Sequence, residues 1–571
     1  MSKLSIRKMS AASVTQLNRE ASDYCTTPEF IYNGPFIKVE KPSPFLNVAT
    51  PINLQLQGTF KKSFAYISLK ERLPVILTKV IDYVSREGSK IKSSSGASDS
   101  ELQSFIKYVS KLKNDLVTNK KYDLLTVDTP NAKLWNQWIE SCETPNYFLN
   151  TWVFTECYVY RRLREGCELS KGLTNFDPFD EQKDQSLNKN MEAMCIVAEK
   201  LLTMLPESDK DKRKADFITL LKVCLWSNKC DLALSMGEQV TLKNEGGVKT
   251  SPSREILDPF QMILDLKDKV LVDDSAKIAD LVIARADTFA KAIEGPPGTA
   301  APAEGEAPPE LPPCPAKLTI PEDVMFDIVC DNSGYELFSD LCLAHFLIAQ
   351  KIVQKVRFHV KKIPWFVSDV TPRDFKYVIG ACARGNYKRE IQPEPKPEPA
   401  EGEAPAEPEP PRVISADALR QLGEQWDKFV QEGVFVVHCD DFWTYPHVYK
   451  DMKRYDPDLY RKLQFATCLL FKGDLNYRKL LGEKNCNPMT GFEAALQGFM
   501  PAPVAALRSV KVDLICGLPK GKAEQLNAID EKWMEKGDYG VIQLCAKCEP
   551  LKVSERPCPQ YGDTCRGTVC Q

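Results

Sequence analysis

Histidine is scarce, with four in 571 residues, and neither sign of charge dominates: 75 Lys and Arg face 78 Asp and Glu, for a net charge of −3. The four, His345, His359, His438 and His447, do not pair at metal-ligand spacing. His345 falls on an apolar helix face and His359 in a strand, and both read as core or edge residues. The charge balance leaves no basic face for nucleic acid. No apolar run approaches the roughly 18 residues of a membrane-spanning helix. The opening Met1-Ser-Lys-Leu-Ser-Ile-Arg-Lys has no apolar signal core. The expectation is a soluble, cytosolic protein without nucleic-acid or membrane partners; protein partners are not read from the sequence. The first 19 residues are basic, Ser-rich and free of acids, which is compatible with an organelle transit peptide or with a disordered tail.

Proline is abundant, at 40 residues, but concentrated: eight lie between Pro296 and Pro315 and eight between Pro393 and Pro411, with the heptamer Pro-Ala-Glu-Gly-Glu-Ala-Pro repeated at 302–308 and 399–405. Such segments are spacers that cannot bury enough apolar surface to pack. Most of the 20 cysteines sit singly in apolar stretches, as Cys195, Cys224, Cys342 and Cys468 do, and read as reduced core thiols. Cys545, Cys548, Cys558, Cys565 and Cys570 gather in the tail, where a zinc ribbon would need a second Cys-x-x-Cys.

Residues 1–60 lack sustained periodicity and read as an irregular extension. Helical spacing begins with Leu73, Ile76, Leu77, Val80, Ile81 and Val84 on one face and recurs at 101–117, 150–166, 188–205 and 213–225. This predicts a helical N-terminal region over 61–293, then a linker at 294–316. From 317 to 544, short apolar runs at Met325–Cys330, Val356–Val360, Val434–Val437, Ala466–Phe471 and Val504–Leu507 alternate with helical segments. That alternation predicts an α/β domain with a mainly parallel sheet, the second island at 391–412 being a surface insertion and 545–571 a Cys-bearing tail.

Polar residues follow the apolar runs at the strand ends, where an open parallel sheet binds ligands. Asp331-Asn-Ser-Gly334 follows the first, Asp369 the second, Lys472-Gly-Asp-Leu-Asn-Tyr-Arg-Lys479 a third, and Arg508-Ser-Val-Lys511 a fourth. Asp331, Asn332 and Asp369 offer oxygen ligands for a hard or borderline divalent cation. Arg478 and Lys511 offer positive charge for phosphate. Each segment alone also reads as a turn or a helix cap; their coincidence at successive strand ends points to phosphoryl chemistry. Glu156 and Tyr160 share one helix face, which by itself reads as a structural ion pair against the sheet.

The chain resembles the metal-dependent damage-control phosphatases, in the branch also described as acidic-residue (protein-glutamate carboxyl) methyltransferase. The resemblance is carried by Ser63-Phe-Ala-Tyr, Trp152–Arg162, Leu225-Trp-Ser-Asn-Lys-Cys-Asp-Leu232, Asp331-Asn-Ser-Gly-Tyr-Glu-Leu337, Ile363-Pro-Trp-Phe-Val-Ser-Asp369, Phe442-Trp-Thr and Phe471–Leu480. It implies a helical N-terminal region packed on a three-layer α/β/α domain, a metal, Mn²⁺ or Mg²⁺ (or Co²⁺ or Ni²⁺), on Asp331, Asn332 and Asp369, and a pocket reached by Glu156, Arg161, Asn228 and Asp231. Contacts to a phosphorylated sugar, such as fructose 1-phosphate or 6-phosphate, would fall on Asp331, Asn332, Asp474, Leu475, Asn476, Tyr477, Arg478 and Lys511, with Asp331, Asn332, Asp369 and Lys511 catalytic. The branch carries Arg-Thr-x-Lys where this chain has Ser509; serine keeps the hydroxyl but loses the methyl, which bears on substrate preference. In the methyltransferase alternative, Glu336 and Asp369 would contact S-adenosylmethionine, although no glycine-rich strand–turn–helix signature is present.

Overall fold

In a computed structural model of the chain, residues 43–206, 209–227, 258–294, 324–391 and 411–549 are described. Asn228, Asp231, most of both Pro/Glu islands and the tail cysteines beyond 549 lie outside them. The strands are β1 (Val270–Asp273), β2 (Met325–Val329), β3 (Lys355–His359), β4 (Lys388–Ile391), β5 (Arg412–Ser415), β6 (Phe435–His438), β7 (Ala466–Lys472), β8 (Val504–Ser509) and β9 (Gly540–Cys545). Seven form one sheet in the order β1-β9-β8-β7-β2-β3-β6. All neighbours in it are parallel except β8 and β9.

The apolar runs are near-continuous because this sheet is covered on both faces. All seven residues of β7 are buried. Leu469 and Phe471 enter one hydrophobic core while Cys468 and Leu470 enter the other, the two-residue period of a strand between two layers. The first core is built against helices α1 (Leu73–Arg86), α2 (Asp99–Val117) and α3 (Trp152–Glu168). The second holds α4 (Met191–Met204), α5 (Lys210–Ser227), α6 (Tyr335–Ala349), α7 (Pro372–Ala383) and α8 (Asp417–Gln431). The architecture is the expected α/β class, with N-terminal helices contributing to both outer layers.

One element differs from the sequence expectation. The helical region contributes β1, an edge strand of four residues beside β9 that is too short to register against helical periodicity. The described part of the expected extension is irregular yet fixed: Leu56 is fully buried, donating its N–H to Glu483 O and accepting from Trp152 N. On either side of the second island, β4 and β5 pair antiparallel. No described helix is long and apolar enough to cross a membrane.

Candidate active site

Two strand ends are stitched together beyond the sheet. After β3 the chain turns back so that Asn332 and Asp369 form an antiparallel bridge. Ser333 N donates to Ser368 O at 2.7 Å and Val370 N to Asp331 O at 2.9 Å. Phe366 and Val367 take φ of 43° and 72°, a left-handed conformation that a β-branched residue adopts only under constraint. Val367 is fully buried, so core packing holds the turn that delivers Asp369.

The amide of Asn332 is held on every side. Its Nδ2 donates to Asp331 Oδ2 (2.9 Å) and Glu336 Oε2 (2.7 Å), and its Oδ1 accepts from Ser368 Oγ. Behind it, fully buried Lys472 pairs with Glu336 (3.0 Å) and Asp340 (2.6 Å). Burial raises the Asp340 carboxyl to about 6 against the pull of Lys472. Lys361 Nζ lies 3.4 Å from Asp369 Oδ2.

β7 passes into helix α9 (Gly473–Leu480) through Gly473, whose φ of +80° allows a close approach to Asp331. Within α9, residues 474, 475 and 478 share one face, as 3.6-residue periodicity requires. Asp474 accepts from Arg508 Nε at 2.6 Å on Oδ1, while its buried Oδ2 has no hydrogen-bond partner. Arg478 is clasped, with Nη1 on Glu156 (2.6 Å), Nε on Glu483 (3.1 Å), Nη2 also on Glu483, and its plane 3.5 Å from the Trp152 ring centre. Asn476 and Tyr477 point elsewhere. Asn476 Nδ2 binds the carbonyls of Lys472, Cys330 and Val329, tying α9 to the end of β2. Tyr477 donates to Gln543.

These elements form a pocket that opens partly to solvent. Its acids are Glu156, Asp331, Asp369 and Asp474, and its cations Arg72 and Arg478. Its apolar wall is Ile76, Tyr160, Phe366 and Leu475, with the Phe366 ring stacked on Tyr160 at 4.7 Å. Burial, together with the nearby Asp369 and Asp331, pushes the Tyr449 hydroxyl far up, so it stays protonated and donates to Asn476. Behind this lining, Lys361 pairs with Asp369 and Arg508 with Asp474, so the four carboxylates share four nearby cations. Among the described residues no three His, Cys, Asp or Glu side chains are gathered as a ready metal cluster. The donor types nevertheless suit a hard cation: the carboxylates of Asp331, Asp369 and Asp474 line the pocket, and the amide of Asn332 stands beside Asp331.

A family model described as the damage-control phosphatase ARMT1-like domain matches residues 68–526. The chain belongs to the damage-control phosphatase family. It is 33% identical over 500 residues to damage-control phosphatase ARMT1 of Danio rerio, covering 86% of this chain and 96% of that protein. The Homo sapiens protein of the same name is also 33% identical over 500 residues, with 86% and 97% covered. A DUF89 family protein of Pyrococcus horikoshii of known structure aligns at a TM-score of 0.32 and 13% identity over 69% of this chain and 90% of that one.

Both walls of the pocket, from Arg72 to Arg478, lie inside the span matched by the damage-control phosphatase model. Of the residues singled out from the sequence, Asp331, Asp369, Asp474, Leu475, Arg478, Glu156 and Tyr160 line the pocket, with Asn332 braced beside Asp331. Asn476, Tyr477 and Lys511 are not among the lining residues; Lys511 is buried next to Gly537. Arg161 is directed to Asn131 (2.8 Å) and Glu168 (3.0 Å) instead. Glu336 is fully enclosed between Lys472 and Asn332. Arg72, Phe366, Gly473 and Ser368 carry no site role in the sequence reading; Ile76 appears there only in an apolar stripe, and Arg508 only at the head of the Arg-Ser-Val-Lys run. Arg72 carried a signal, since it lies four residues before Ile76, in line with the apolar stripe.

Proposed function

We propose that the protein is a metal-dependent phosphatase that hydrolyses small phosphorylated sugars, fructose phosphates among them, and so removes misplaced metabolites. The observation that carries this reading is the unpartnered, buried Asp474 Oδ2 in a pocket shared with Asp331, Asp369 and two guanidiniums. Burying a carboxylate oxygen without a partner is costly unless a ligand completes it. Asp331, Asn332 and Asp369 would hold a divalent cation, with Mn²⁺ or Mg²⁺ preferred. When bound, it would supply charge that polarises a phosphoryl oxygen and favours water as nucleophile.

The chain's own residues account for the rest. Arg72, on the wall formed by the N-terminal region, presents positive charge to the phosphate across the pocket. Asp474 Oδ2 accepts the proton of a water or a sugar hydroxyl. Ile76, Tyr160 and Phe366 cover the apolar face of the sugar and exclude bulk water.

The test is phosphate release from a panel of sugar phosphates with Mg²⁺, Mn²⁺, Co²⁺ and Ni²⁺ compared. Asp331→Ala and Asp369→Ala are expected to lower release by at least about 100-fold in metal-replete buffer. Full activity in either variant overturns the site. Methyl transfer from labelled S-adenosylmethionine to glutamate, without phosphate release, overturns the function.

A further inference from the structure

Arg508 is fully buried at the end of β8, outside the pocket, yet every direction of its guanidinium is committed. Nε donates to Asp474 Oδ1 at 2.6 Å, Nη2 to Val512 O at 3.0 Å, and Nη1 to Leu514 O. Its plane lies over the Tyr477 ring at 4.5 Å, and Tyr477 is itself pinned by its hydrogen bond to Gln543 on β9. A planar fork anchored by two carbonyls and a ring has one orientation available. That orientation fixes one oxygen of Asp474, a residue of the pocket lining, while the other, Oδ2, is buried without a hydrogen-bond partner.

We infer that Arg508 is the positioning residue of this site, holding Asp474 with one oxygen anchored behind the wall and the other presented to substrate. The inference rests on the phosphatase reading above. It extends that reading to a residue that touches neither substrate nor metal. Arg508→Lys retains the charge but, as a point donor on a flexible stem, the ammonium cannot serve Asp474 and both carbonyls at once. Asp474→Glu retains the ion pair with Arg508 but shifts the presented oxygen by about one C–C bond, a displacement that matters to catalysis more than to folding.

The experiment uses the full chain as wild type, Arg508→Lys and Asp474→Glu, with phosphate release measured on a hexose phosphate in Mn²⁺ and a crystal structure of each soluble variant. Arg508→Lys is expected to lower kcat by about 30-fold or more with KM within about 3-fold, since orientation rather than uniform binding is lost. Its Asp474 side chain is expected to turn from its wild-type rotamer. Asp474→Glu, expected to fold normally, should lose at least about 10-fold in kcat and carries the test if Arg508→Lys does not fold. A soluble Arg508→Lys with wild-type kcat overturns the inference, as does a fully active Asp474→Glu. If wild type releases no phosphate, the function reading fails. The structures then decide: an Asp474 unmoved in Arg508→Lys, or a carboxylate oxygen of the Asp474→Glu variant at the wild-type Oδ2 position, overturns the positioning role, and displacement sustains it.

Discussion

A Cβ atom on Gly473 would lie 1.7 Å from Oδ2 of Asp331 and 2.2 Å from its Cγ. The first residue of α9 and the last carboxylate of the β2 strand end therefore occupy adjoining space that only glycine leaves open. Gly473 also stands at φ +80°, where an L side chain is strained in any case.

Gly473→Ala is expected to displace the Asp331 carboxylate. Phosphate release should fall by at least about 100-fold, with a stability loss of about 2 kcal/mol from the forced φ and the shifted carboxylate. Urea denaturation beside a phosphate-release assay measures both. An active alanine variant would mean that Asp331 does not act from its observed position.

Glu156, on α3, and Arg478, on α9, form a buried pair at 2.6 Å across the join between the N-terminal helices and the sheet domain. Glu156→Ala leaves a buried guanidinium with Glu483 as its remaining carboxylate, and unfolding free energy should drop by about 3 kcal/mol. Glu156→Gln keeps a hydrogen-bond acceptor and should lose less. Equal losses in the two variants would reduce the pair to simple packing.

Burial lowers the His345 imidazole to about 4, and His438 and His447 to about 3, the last two aided by neighbouring positive groups. The unfolded chain keeps ordinary values near 6.5 and binds protons that the folded chain refuses. This contribution to stability is complete above about pH 6.5 and is lost as pH falls toward the folded values, with a slope approaching about three protons. Urea midpoints from about pH 7.5 down to about pH 5 measure it. Trp426 donates to His345 Nδ1, so His345→Gln, which keeps an acceptor, should remove one proton from the slope. A flat profile would contradict the burial of these rings.

The pocket takes Arg72, Glu156 and Tyr160 from the N-terminal helices, and β1 completes the sheet edge. A fragment beginning at residue 317 would expose the sheet face that α1 to α3 cover. It should be aggregation-prone and release no phosphate. A soluble, active fragment would show that the N-terminal wall is dispensable.

The strands β2, β3, β7 and β8 were legible because burial on both faces writes a continuous apolar run, while β6, at the sheet edge, was legible from its apolar run although only its Phe435 is buried; the acids that follow these runs were legible because strand ends meet at one edge. Periodicity alone therefore determined the α/β class and brought Asp331, Asp369 and Asp474 forward as a set. It did not determine what each cation does. Arg478 reads from sequence as a phosphate fork, yet its donors meet Glu156 and Glu483. Arg508 passes as a neighbour of Lys511 but grips Asp474. Glu336, a candidate ligand contact, is sealed against Lys472. These partners lie as far as 322 residues apart in the chain. Local spacing encodes which face a residue occupies, whereas which opposite charge a buried side chain meets is set only when the layers pack. Tertiary structure alone decided which polar residues face the pocket and which are spent holding it open.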